Sequence, residues 1–195
     1  SLALLGAGLL ASFFHLGRPE RAWRSAAMWR TSWLSREVIV LPVFMAAVAA
    51  FGLAHHLRGA GDVTLALGAA GLTLALALFV CTGMIYACLP FLQEWHTPLT
   101  VINYTLFGCA SGFLLGTAWA AAVAPALLAA SALWTVAFTL AAMVTRAASL
   151  ARNARLRPKS TLQTAIGVKH PRIAQKSQGF MGGSFNTREF FHARP

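Results

Sequence analysis

The sequence predicts an all-α, polytopic transmembrane helix bundle with about five membrane segments. Three observations predict it. Of 195 residues, 57% are hydrophobic and 11% are charged, whereas soluble domains carry about 25% charge. The mean hydropathy is +0.63. Long stretches free of charge alternate with short polar turns, and the cations fall on one side of the alternation.

The first segment, Ser1 to Leu16, is apolar but shorter than the ~20 residues a crossing needs. It reads as the second part of a cut helix. The chain opens on Ser inside an apolar run, without a basic n-region or a cleavage site, so we expect a piece of a longer protein. Gly17 to Ser35 interleaves Arg18, Arg21, Arg24 and Arg30 with Trp23, Trp29 and Trp33, a mixture at home among lipid headgroups.

Glu37 to about Leu53 is expected as the first complete span, interrupted by Pro42. His55, His56, Arg58 and Asp62 form the next turn. Val63 to Leu89 is charge-free and ends at Pro90. Phe91 to Pro98 is a compact loop with Gln93, Glu94, Trp95, His96 and Thr97. Leu99 to Leu150 holds no charge before Arg146 and is too long for one crossing; Pro125 divides it near 99–122 and 126–148. Residues 1–150 are thus predicted as the bundle, with the first segment truncated. Residues 151–195 are predicted as a basic extramembrane loop or tail. Its stretch from Gly179 to His192 carries four phenylalanines and should pack against something, because disordered tails are poor in aromatics.

If every apolar segment crosses, all Lys and Arg except Arg58 share one face with Glu20, Glu37, Glu94 and Glu189. Arg58 and Asp62 cancel on the other. Such asymmetry is the pattern of a cytoplasmic face, and it explains the net charge of +11 without nucleic acid. Cys81, Cys88 and Cys109 form no CxxC pair, so no metal site is expected. Gly108, Gly112 and Gly116 recur at four-residue spacing and predict a seam of close helix contact.

The chemistry centres on His15 and Glu37, which bracket one basic loop at the facing ends of consecutive segments. A histidine there can simply bond a helix-end carbonyl, and a glutamate can simply favour a helix N-terminus. Ionisable groups at membrane depth, however, default to function. An imidazole can take a proton from a hydroxyl and a carboxylate can relay it. We therefore read the pair as a candidate site for a molecule that gives up protons at the membrane boundary, with no catalytic residue in the bond-making sense. Arg18 and Arg21, with Trp95 and His96, are candidates for the pocket wall or for docking a soluble subunit. Tyr86, Asn103 and Tyr104 are either interfacial belt residues or cavity wall. Glu94 and His96 read as a solvated loop.

These residues resemble a known family. His15-Leu16-Gly17-Arg18-Pro19 with Arg21-Ala22, followed by Ser35-Arg36-Glu37, is similar to the HLG-x-P-x-RA and S-x-E stretches of the dimethyl sulfoxide reductase anchor subunit, the DmsC type. Trp95-His96-Thr97-Pro98 resembles its Trp-x-Thr-Pro turn. Position 18 departs from the pattern: Arg stands where a small residue is familiar. The resemblance implies an eight-helix, multi-pass protein of the bacterial inner membrane that binds no cofactor itself. It implies partners: an iron–sulfur electron-transfer subunit and a molybdopterin catalytic subunit. It also implies menaquinol as substrate in anaerobic respiration, with His15 and Glu37 as the quinol site. Two other classes compete. A haem-b quinol-oxidising anchor would need histidines in mid-span, and none stands there. A small-solute transporter would need charges along a path.

Overall fold

The computed structural model describes residues 2–14, 16, 18–157 and the isolated positions 164, 167 and 170. His15 and the stretch from Gly179 to His192 lie outside the described residues. The chain divides into two units, Ser1–Ala154 and Arg155–Pro195, and the elements that follow all belong to the first.

In order they are α1 (Leu2–Phe13), a 3-10 segment (Pro19–Ala26), α2 (Trp33–Arg58), α3 (Asp62–Ala87), α4 (Pro98–Val123), a 3-10 turn (Pro125–Leu127) and α5 (Leu128–Asn153). Among the described residues there is no strand. Four helices are long and apolar enough to cross a membrane, and α1 is a shorter apolar helix. The expected count of about five is met by these together. Each of α2 to α5 has 26 residues, or about 39 Å at 1.5 Å per residue. That length exceeds the ~30 Å hydrocarbon core.

Local chemistry sets the boundaries. α2 starts four residues before Glu37, because the Ser32 hydroxyl accepts the Ser35 N–H at 3.3 Å and caps the helix. Arg36 folds back to fix the entry: Nε donates to the Trp29 carbonyl at 3.0 Å and Nη2 to that of Arg30 at 2.8 Å. The helix runs past His55 and His56 until Gly59, at φ +72°, turns left-handed as a C-terminal glycine does. Pro42 does not interrupt α2 as expected; the helix continues through it. In α4, Thr97 caps and Pro98 opens the first turn, while Pro125 starts the break before α5.

The four long helices run up and down, each packed on its sequence neighbour. Near one end, Glu37 of α2 meets Thr82 of α3, Gly83 meets Val101 of α4, and Asn103 meets Ser149 of α5. At the other end Gly68 faces Phe51 and the hydroxyls of Thr117 and Thr135 lie 3.0 Å apart.

The burial pattern is inverted relative to a soluble protein. The buried residues are small or polar: Gly83, Ala87, Ala110, Ala120, Ala142, Cys81, Ser35, Thr64, Asn103 and Ser149. Large apolar side chains face outward, with Leu65 74% and Val144 69% exposed. Small residues inside and hydrocarbon outside is how helices pack in lipid.

The glycine seam takes a different form from the expected one. A Cβ on Gly83 would stand 2.9 Å from the Val101 Cα, and one on Gly108 would collide with the Phe79 ring, but Gly112 and Gly116 have nothing within 4 Å. Four-residue spacing drifts about 40° per step on a helix, so the row turns away from α3 after Gly108.

Candidate functional site

A cleft of about 510 Å³ opens among the four long helices, at the end bearing the Arg- and Trp-rich connection. Its polar wall is Glu37 of α2, Thr82 of α3, Asn103, Tyr104 and Ser111 of α4, and Arg146 of α5. Its apolar wall is Leu41, Leu78, Phe79 and Phe107, with Gly108 making room for Phe79.

The depth of these groups follows from helix arithmetic. Glu37 is four residues inside the start of α2, and Thr82 and Asn103 are five inside the ends of their helices. They lie about 6 to 8 Å from the helix ends, and Arg146 about 10 Å. The helices overhang the hydrocarbon by about 9 Å in all, or about 4 to 5 Å at each end. Apart from Ser111, about 20 Å inside α4, the polar wall is therefore a thin band just beneath the membrane boundary.

Glu37 lies beyond the first turn of α2, which holds no acidic residue, and the dipole's pull fades within that turn. What holds it is Thr82, whose hydroxyl lies 2.5 Å from Glu37 Oε1 and 3.0 Å from the Leu78 carbonyl. One hydroxyl proton serves two acceptors. With Glu37 ionised, Thr82 donates to the carboxylate. With Glu37 protonated, the carboxyl O–H donates to Thr82 Oγ1, and Thr82 donates to Leu78. The pair stays bonded in both states, so Glu37 can gain or lose a proton without a group moving away.

Asn103 is buried and bonded through both atoms of its amide. Its Nδ2 donates to Ser149 Oγ at 2.8 Å and its Oδ1 accepts from Thr145 Oγ1 at 2.7 Å. Asn103 thus locks α4 against α5 and sets the rotation of α5. Asn103→Leu is expected to lower stability by about 1 kcal/mol, the usual scale of such bonds between membrane helices; thermal unfolding in detergent measures it, and an unchanged midpoint would deny the lock.

Tyr104 stacks on Tyr86 (centroids 5.5 Å), and Tyr86 meets the Trp95 ring edge-on at 5.2 Å. Trp95 therefore sits behind the rim of the cleft rather than in its lining. His96 places Nδ1 2.7 Å from the Ala87 carbonyl at the end of α3. Arg152 Nη1 donates to the Gln93 carbonyl at 3.1 Å, tying the same turn to α5. Arg18, just before the 3-10 segment, and Arg21, within it, are both exposed, and Arg21 Nε lies 4.0 Å from Glu20 Oε1. Neither lines the cleft. Of the sequence-predicted candidates, Glu37 is in the cleft, joined by Asn103 and Tyr104 from the residues read as belt or wall. Thr82, Ser111 and Arg146 were not anticipated. The one signal was a charge, Arg146, inside a stretch long enough to span.

Fold and cleft together define a multi-pass membrane protein with a polar-headed cleft at lipid level. Sequence comparison supplies the family: its profile, described as DMSO reductase anchor subunit (DmsC), matches residues 1–169, and the chain belongs to that family. The chain is also 60% identical over 205 aligned positions to the C subunit of sulfite dehydrogenase from Allochromatium vinosum, with 100% of this chain and 63% of the relative covered. The chain thus spans about 63% of the length of that curated relative. No solved structure matches.

Proposed function

We propose that this chain is the membrane anchor and quinone-exchange subunit of a molybdopterin oxidoreductase complex in the bacterial inner membrane. The observation that carries the reading is the cleft: an apolar wall suited to a lipid-soluble ring, with a proton-handling carboxyl at its polar end. A quinone taking two electrons must take two protons, and a quinol giving up electrons must release them. The Glu37–Thr82 pair can serve either direction. His15, outside the described residues, is the second proton group in this reading, and Arg18 and Arg21 serve the docking of soluble partners.

The direction of flow is taken from the relative. An enzyme named sulfite dehydrogenase withdraws electrons from its substrate. By that analogy, electrons pass from a sulfur substrate at the molybdopterin subunit, through an iron–sulfur subunit, to quinone at this cleft. The family's description favours a second reading, in which menaquinol is oxidised here and the electrons leave to reduce an S-oxide in anaerobic respiration. Sulfite-dependent quinone reduction and menaquinol-dependent dimethyl sulfoxide reduction, measured in membranes carrying the complex, separate the two.

The site itself is tested by photoaffinity labelling with an azido-quinone. Adducts are expected on the α3 and α4 peptides carrying Leu78 to Thr82 and Asn103 to Ser111. Labelling confined to other segments would remove the cleft as the quinone site.

A further inference from the structure

We infer that Arg146 is the second arm of the cleft, binding one ring oxygen of the quinone opposite the Glu37–Thr82 pair. The inference rests on the proposed quinone site and names the group that fixes the ring's orientation there.

Arg146 lines the cleft with Glu37, yet no ion pair joins them among the described residues. Nor does its guanidinium hydrogen-bond any described residue. It stands about 10 Å inside the end of α5, where a guanidinium without an acceptor is costly. The rotation of α5 is set by the neighbouring lock: Thr145 and Ser149 both hold Asn103, so the Arg146 backbone stays on the cleft side, with its exposed side chain free to reach in. The structure thus places opposite charges on two sides of one cavity, with space between them.

A ring bearing two oxygens suits that space in both redox states. Guanidinium only donates, and an oxygen of a quinone or a quinol can always accept. The carboxyl side does both: protonated it donates to a quinone carbonyl, and ionised it accepts from a quinol hydroxyl. The Arg146 end of the ring is therefore held in every state while the Glu37 end exchanges one of the two protons; the other, on the oxygen that Arg146 holds, is exchanged with water or with His15, the second proton group of the proposed function. The competing destination for Arg146 is a phospholipid phosphate reached by snorkelling.

The experiment uses the assembled membrane complex with the full-length anchor, checked by co-purification of its soluble partners, and a short-chain naphthoquinone as substrate. Arg146→Gln is expected to raise KM by about 10- to 100-fold, the scale of a charge-assisted hydrogen bond, with a smaller change in kcat. Arg146→Lys, a point charge in place of a fork, is expected to recover part of the loss. If Arg146→Gln does not assemble, Arg146→Lys decides alone, and an unchanged KM overturns the inference. If Arg146→Gln keeps a normal KM while Glu37→Gln loses turnover, the guanidinium belongs to the lipid and the quinone site survives. If neither variant is affected, the quinone site fails with the inference.

Discussion

Glu37→Gln is expected to lower quinone-dependent turnover by about 10²- to 10⁴-fold, the range that positioned proton transfer contributes, without loss of the protein from the membrane. Glutamine keeps the size and can accept the Thr82 hydroxyl through its carbonyl, so the α2–α3 contact survives. What it cannot do is carry a proton. Thr82→Val removes the hydroxyl that follows Glu37 between its two states and is expected to cost about tenfold, since the carboxyl remains. Steady-state rates with a short-chain quinone, normalised to assembled complex, measure both. A Glu37→Gln complex turning over at the parental rate would mean that protons reach the ring by another route.

The largest effect on stability is expected at Gly83. Its missing side chain lets α3 and α4 come close, since an added Cβ would stand 2.9 Å from the Val101 Cα. Backbone cannot rotate aside as a side-chain tip can, so Gly83→Ala must push the helices apart. Overpacking of this kind costs about 1–3 kcal/mol. Gly112→Ala, on α4 with nothing within 4 Å, is the matched control and should be neutral. Thermal unfolding of the purified complex distinguishes them; equal midpoints would show that α3 and α4 do not depend on this approach. Thr82 adjoins Gly83, so the alanine variant should also blunt quinone turnover as the Glu37 contact lengthens.

The bundle was legible in the sequence because hydropathy and proline fix it. Val63–Leu89 became α3 almost unchanged, and Pro125 divides α4 from α5 as its rigid ring predicts. The start of α2 was less legible, since Ser32 caps from within a polar, tryptophan-rich run where no hydropathy step marks the turn. The site was half legible. Glu37 announced itself as a charge at a segment end, and Asn103 and Tyr104 as polar residues near a loop. Thr82 gave no sign, because a helical threonine ordinarily bonds its own i−4 carbonyl, as it does to Leu78; its other partner lies 45 residues away. Gly83 was passed over for a similar reason. Spacing rules select glycine rows, and close approach is a property of two helices rather than of one.

Pro42, carried inside α2, has no amide hydrogen to give the Val38 carbonyl. The ladder of α2 therefore lacks a rung one turn past Glu37, beside the cleft wall at Leu41. Bending is cheapest at such a point, while the far half of the helix is seated against α3 where Phe51 rests on Gly68. A bend of α2 at that point would move the short arm from Trp33 to Leu41, and the carboxyl of Glu37 with it.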